Sequence, residues 1–268
     1  MDWVAKINES VIQQAVEGND PDLAREALRE IDVLLGSVSD PNARKYLLFS
    51  RASCYAVLGD LVEARRQLAV ALDAGHGDPS ARVSFDFGSG LFFQREGNYA
   101  EALSEFSTIF STHAQQLKRP ELRFMYEDIQ QRRAFLSVTL GRFQDAVPLM
   151  KEILSFDLEK EERSKALCSL GLCYLELKEY DLARYHFLQA IEFGLTTEWK
   201  GTTHFYLGMA YFYTDMVQEA KQEFQMCEQL AGEYELPIVD IYGWLSVISK
   251  RLGEAAESER YARMGRRN

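Results

Sequence analysis

Four histidines, four cysteines and a run of carboxylates are the side chains of this chain best suited to chemistry, and their spacing decides whether any is performed. His76, His113, His186 and His204 stand far apart, and none pairs with another histidine or with a cysteine at a metal-ligand interval. Cys168 and Cys173 do not have the two-residue separation of a zinc or redox motif, and Cys54 and Cys227 are isolated. The acidic run DLEKEE, residues 157–162, reads as a solvated turn and helix start. No GxxxxGK phosphate loop, HExxH pair or GxSxG elbow occurs. The expectation is a protein that is not an enzyme, with no catalytic residues, no metal and no cofactor.

Composition excludes further classes. A net charge of −11 over 268 residues argues against nucleic acid, whose binding is driven by lysine and arginine neutralising phosphates. No stretch approaches the roughly 18 uncharged apolar residues of a membrane span. The opening MDWVAKINES lacks the basic lead and apolar run of a secretory leader. With all four cysteines inside helical patterns, reduced thiols and a cytoplasmic location are expected. The terminal RYARMGRRN reads as a cap for the last helix and its dipole.

The elements that would position a site follow a ruler. Gly171, Tyr174, Lys178, Tyr180, Ala183, Phe187 and Ala190 set the spacing, and matching series begin at Ala52, Gly90, Ala134 and Gly208. Between the first small residues the intervals are 38, 44, 37 and 37 residues, the mark of a repeat array. Each copy reads as two helices joined by a tight turn at Gly59, Gly97, Gly141 or Lys178, where glycine permits the left-handed conformation that ends a helix. Small residues at 171 and 183 let two helix axes approach, with Tyr174 and Phe187 filling the space beside them. Asp20-Pro21, Asp40-Pro41 and Asp78-Pro79 each place an N-cap acid before a first-turn proline. Pro120, after Arg119, marks a start without that cap, and Pro148 is expected among the unpaired first-turn amides of its helix.

With these residues the chain resembles the tetratricopeptide repeat family. The resemblance covers residues 43–230 in five clear units. Residues 1–42 form a degenerate N-terminal unit, with Ala24, Leu28 and Ile31 in second-helix slots. Residues 231–268 form a degenerate capping unit, where Gly253 marks the turn and Ser258 replaces the alanine. The resemblance implies an all-α fold, a single right-handed α-solenoid of about six to seven helix-turn-helix units, with first helices lining a concave face.

A second stripe on the first helices then matters: the residue after each small one, with those four before and three after it. It reads Phe49, Ser53, Ala56; Phe87, Leu91, Gln94; Gln131, Phe135, Val138; Cys168, Leu172, Leu175; and Phe205, Met209, Phe212. These share a face about 100° from the packing stripe, and most are apolar. One reading makes Phe49, Phe87, Leu91, Gln94, Gln131, Phe135, Val138, Leu172, Leu175, Phe205, Met209 and Phe212 a groove for a helical or extended peptide of a partner. The other buries the stripe as extra core.

The family resemblance implies a non-catalytic scaffold binding a protein or peptide; the alternative is a ligand- or signalling-peptide sensor acting through a separate effector. A homodimer through the solenoid ends stays open. Some family members grip a partner's C-terminal carboxylate with lysines and asparagines, but the aligned places hold Phe49, Ser53, Phe87 and Leu91, with Arg95 and Lys165 only nearby. The long interval at 111–126 either lengthens helices or protrudes as a contact surface with Arg123, Phe124, Met125 and Tyr126.

Overall fold

One backbone solution recurs along the chain. Gly59, Gly97, Gly141, Lys178, Asp215 and Gly253 all take positive φ, between 63° and 85°, each seven residues after the small residue of a first helix. At Gly59 the amide donates to the Ala56 carbonyl at 3.0 Å, and that of Asp60 to Tyr55 at 3.0 Å. The same paired closure recurs at Lys178, where Lys178 donates to Leu175 at 3.0 Å and Glu179 to Tyr174 at 2.8 Å. This geometry satisfies the last carbonyls of a helix and reverses the chain. At 178 and 215 the register imposes it on residues other than glycine.

The computed structural model describes residues 14, 15, 20–73, 83, 86, 87, 90, 91, 93, 94, 96–117, 123–195, 197–230 and 238–266. Asp78-Pro79, Arg119, Pro120, His76 and Arg95 lie outside them. Among the described residues every regular element is helical, and the chain divides into two compact units, Met1–Leu140 and Gly141–Asn268.

In the first unit α1 (Pro21–Ser37), α2 (Pro41–Val57) and α3 (Leu61–Asp73) pack in sequence. The Asp20 carboxylate accepts from the amides of Asp22 and Leu23 at 2.8 and 3.1 Å, and Asp40 from Ala43 at 2.8 Å. These are the expected caps, with Pro21 and Pro41 opening the helices. Then come α4 (Tyr99–Thr112), a single turn α5 (Ala114–Leu117) and α6 (Arg123–Thr139), with α4 packed on α6. Met125 and Tyr126 are half-buried against the core around Phe106 and Ile129, so these two residues of the long interval serve packing.

The second unit holds α7 (Phe143–Ile153), α8 (Lys160–Glu176), α9 (Tyr180–Phe193), α10 (Thr197–Tyr213), α11 (Val217–Leu230), α12 (Ile238–Arg251) and α13 (Ala255–Met264). Each packs on the next, and α8 also meets α10. Pro148 departs from expectation. It is the sixth residue of α7, inside the helix and not in its first turn, so the Gln144 carbonyl loses its usual amide partner.

The packing notch is literal. A Cβ built on Gly171 would lie 2.7 Å from Phe187 Cε1, one on Gly208 2.8 Å from Phe224 Cε2, and one on Gly90 2.7 Å from Phe106 Cε1. Glycine thus faces phenylalanine sixteen residues on. Where the notch is Ala52, residue 68 is the smaller leucine, and both share one core cluster. In the last pair the notch is Ser246. Its hydroxyl donates to the Ser258 carbonyl at 2.9 Å, and that of Ser258 to the Ser246 carbonyl at 2.9 Å. Ser258, the departure from alanine noted in the sequence, therefore has a partner.

Candidate functional site

Gly208 admits Phe224 against α10, and the α10 residues about 100° round the helix from that notch look toward α12. Phe205, Met209 and Phe212, at four- and three-residue steps on α10, are all half-buried. With Tyr206 they face Asp240, Gly243, Trp244 and Val247 of α12 across an open, mainly apolar cleft of about 810 Å³. Val247 is 52% exposed, a large apolar side chain left in water beside other apolar ones.

Trp244 organises the cleft. Its ring stacks on Phe224 with centroids 5.4 Å apart and planes 9° from parallel. It meets Phe212 edge-on at 5.2 Å and 72°, and Tyr213 at 6.2 Å and 83°. Phe205 stands edge-on to Phe224 at 5.4 Å and 89°. Offset and edge-to-face contacts of this kind hold rings in fixed orientations. The Arg251 guanidinium lies 5.1 Å over Phe212 while its Nη2 donates to Asp215 at 2.7 Å.

Phe205, Met209 and Phe212 are the stripe residues brought together here. Several others are core, which corrects the reading of them as groove positions. Phe49 is 5% exposed in the cluster with Leu68 and Ala71, and Leu91 is buried with Phe106 and Leu136. Leu175 is buried too, as are the stripe residues Ser53, Ala56 and Cys168, which the groove reading did not include. In the second unit the cause is direct contact between α8 and α10, where Cys168 Sγ lies 3.1 Å from Thr203 Oγ1. Leu172 is half-buried.

In the first unit Gln94 Oε1 accepts from Arg132 Nη1 at 3.0 Å, and the same guanidinium lies 5.6 Å over Phe87. Gln131 and Val138 are half-buried, and Phe135 is 53% exposed. Sequence reasoning missed Tyr206, Asp240, Gly243, Trp244 and Val247. The signal was present: seven residues back from Gly253 is Ser246, and the stripe rule then selects Gly243 and Val247.

Several of the groups with chemistry to offer are engaged in packing or in ties between helices. All four cysteines are free and buried. Burial pushes Cys54, Cys173 and Cys227 up to about 12 and Cys168 up to about 11, which leaves no thiolate near neutral pH. His204 Nδ1 lies 2.5 Å from Glu223 Oε2 and joins α10 to α11. His186 stacks on Tyr174 at 5.5 Å, and burial lowers its pKa. Lys221 Nζ donates to Glu254 at 2.6 Å and Glu257 at 2.7 Å, tying α11 to α13. Among the described residues no cluster of three or more histidine, cysteine or acidic side chains is placed to hold a metal. No described helix is long and apolar enough to cross a membrane.

The family model described as tetratricopeptide repeat matches residues 136–194, from the last turn of α6 to the end of α9. The chain carries a tetratricopeptide repeat over this span. Solved structures resemble the chain over most of its length. The apo form of RapI is 14% identical with a TM-score of 0.69, over 98% of this chain and 75% of that one. The C-terminal part of a TPR repeat-containing protein from Cytophaga hutchinsonii is 15% identical with a TM-score of 0.65, over 93% and 91%. PilF of Pseudomonas aeruginosa is 15% identical with a TM-score of 0.52, over 85% and 92%. At these identities the likeness is one of fold. No curated protein sequence matches the chain.

Proposed function

We propose that the chain is a non-catalytic interaction scaffold, and that the cleft between α10 and α12 receives a helical or extended apolar segment of a partner protein. The observation that carries the reading is the cleft itself: about 810 Å³ lined by Phe205, Met209, Phe212, Trp244 and Val247. The buried thiols, with pKa values raised to about 11 or 12, supply no ready nucleophile, which supports a binding role over a catalytic one.

Four or five apolar anchors at about 1.5–3 kcal/mol each supply on the order of 6–15 kcal/mol gross. Association costs of roughly 4–15 kcal/mol reduce this to an affinity near the micromolar range. A photo-crosslinking side chain at position 247 tests the reading, with position 185 on the exposed outer side of α9 as control. Capture of a protein from position 247 and not from 185 is expected. Equal capture from both, or capture from 185 alone, overturns the assignment.

A further inference from the structure

The chemistry of the cleft narrows what occupies it, and the inference rests on the scaffold reading above. Of the described side chains lining the cleft, Asp240 is the one that carries a charge, and it is a carboxylate. It is exposed, in the first turn of α12. Arg251, near the Phe212 part of the cleft, is already engaged by Asp215 at 2.7 Å. Lys250 is exposed at the next stripe position, ten residues and about 15 Å along the helix from Asp240.

Gly243 lies three residues after Asp240, on the same side of α12. A Cβ built there meets nothing within 4 Å. Packing therefore demands glycine at 171 and 208 but not at 243, where it occupies a helix interior that disfavours it. Its effect is a gap in the cleft wall one turn from a carboxylate.

We propose that the occupant is a basic amphipathic helix of a partner protein. One of its apolar side chains fills the gap over Gly243, between the rings of Phe205, Phe212 and Trp244. A lysine or arginine three or four residues away on that helix pairs with Asp240, since such positions are neighbours on a helix surface. Its aliphatic stem lies along the aromatic wall while its charge reaches the carboxylate. The chain's net charge of −11 speeds approach of such a segment.

Two synthetic, fluorescein-labelled amphipathic helices test this on the full chain by anisotropy at about 0.15 M salt. They share one leucine face, and one carries lysine and the other glutamate on the polar face. The lysine helix is expected to bind the wild type about fivefold or more tighter than the glutamate helix. Asp240→Lys is expected to invert that order, and Gly243→Leu to abolish binding of the lysine helix with an unchanged or raised Tm. An unchanged preference for lysine in Asp240→Lys, with Gly243→Leu still blocking, overturns the charge pairing and leaves the cleft as the docking site. Undiminished lysine-helix binding to Gly243→Leu assigns the attraction to overall acidity and overturns the proposal. If neither helix binds the wild type, the basic-helix proposal fails, while crosslinking from position 247 judges the scaffold reading separately.

Discussion

Trp244 lies flat on Phe224, with planes 9° from parallel and centroids 5.4 Å apart, and Phe224 itself sits in the notch left by Gly208. A missing methyl group on α10 therefore positions a ring on α11, which positions the indole forming one wall of the cleft. Gly208→Ala puts a Cβ 2.8 Å from the Phe224 ring. We expect a loss of about 1–3 kcal/mol, the usual cost of overpacking, visible as a lower urea midpoint. Partner affinity should fall with it, because the indole must move with the ring.

Gly243→Ala should act in the opposite direction. Its Cβ enters open space, and alanine replaces glycine inside a helix at a gain of about 0.8–1.0 kcal/mol. Thermal denaturation of the two alanine variants side by side separates a glycine required by packing from one that is not.

Lys178 holds φ at 63°, a conformation that costs a residue with a Cβ roughly 1–2 kcal/mol. Glycine relieves that strain but gives back part of it in unfolded-chain entropy. Lys178→Gly should stabilise by about 0.5–1 kcal/mol, read as a higher Tm. Asp215, at φ 65°, also accepts from Arg251, so Asp215→Gly should gain less.

The tie between Lys221 and its two glutamates gives a pH signature. Burial pulls the Lys221 pKa down, but the hydrogen bonds to Glu254 and Glu257 outweigh it and leave the pKa raised. Its contribution to stability is therefore complete below the ordinary lysine pKa of about 10.4 and is lost as pH rises through the folded value. The Lys221 hydrogen bond holds Glu257 below the ordinary carboxylate range. That contribution is present above about pH 4.3 and is lost as pH falls through the lower folded value. The Tm difference between wild type and Lys221→Met should therefore be widest between about pH 5 and 9 and shrink toward acid. A pH-independent difference would show that the lysine stem contributes by packing alone.

Phe187→Ala should cost about 3–5 kcal/mol, because the ring is fully buried and fills the notch opposite Gly171. Equilibrium urea unfolding measures this directly.

The packing frame was legible because it depends on side-chain size at fixed steps. Gly171 with Phe187, and Gly208 with Phe224, can be read from spacing alone. The turns at 178 and 215 were legible from their register, although lysine and aspartate would not suggest positive φ by type. Exposure of the second stripe was not legible, because it depends on how far apart successive first helices stand. Cys168 and Leu175 are buried where α8 meets α10, whereas Phe212 and Val247 line an open cleft. Trp244 escaped notice because it falls between the stripe positions 243 and 247, and its stacking on Phe224 is visible only in three dimensions. Pro148 was misplaced although the turn at Gly141 marks the helix start, because the helix begins directly at Phe143 and leaves Pro148 past the first turn.

The central claim, that the cleft between α10 and α12 is the docking surface, is tested most directly by measuring the affinity of the partner crosslinked from position 247 for wild type and for Phe212→Asp with Val247→Asp. Circular dichroism of the same samples monitors the fold. The account expects affinity to fall at least tenfold, since two carboxylates in an apolar cleft cost well over the ~1.4 kcal/mol that a factor of ten represents, with helicity retained. Retained affinity in a folded variant, or loss of helicity showing that these two residues belong to the core, would contradict it.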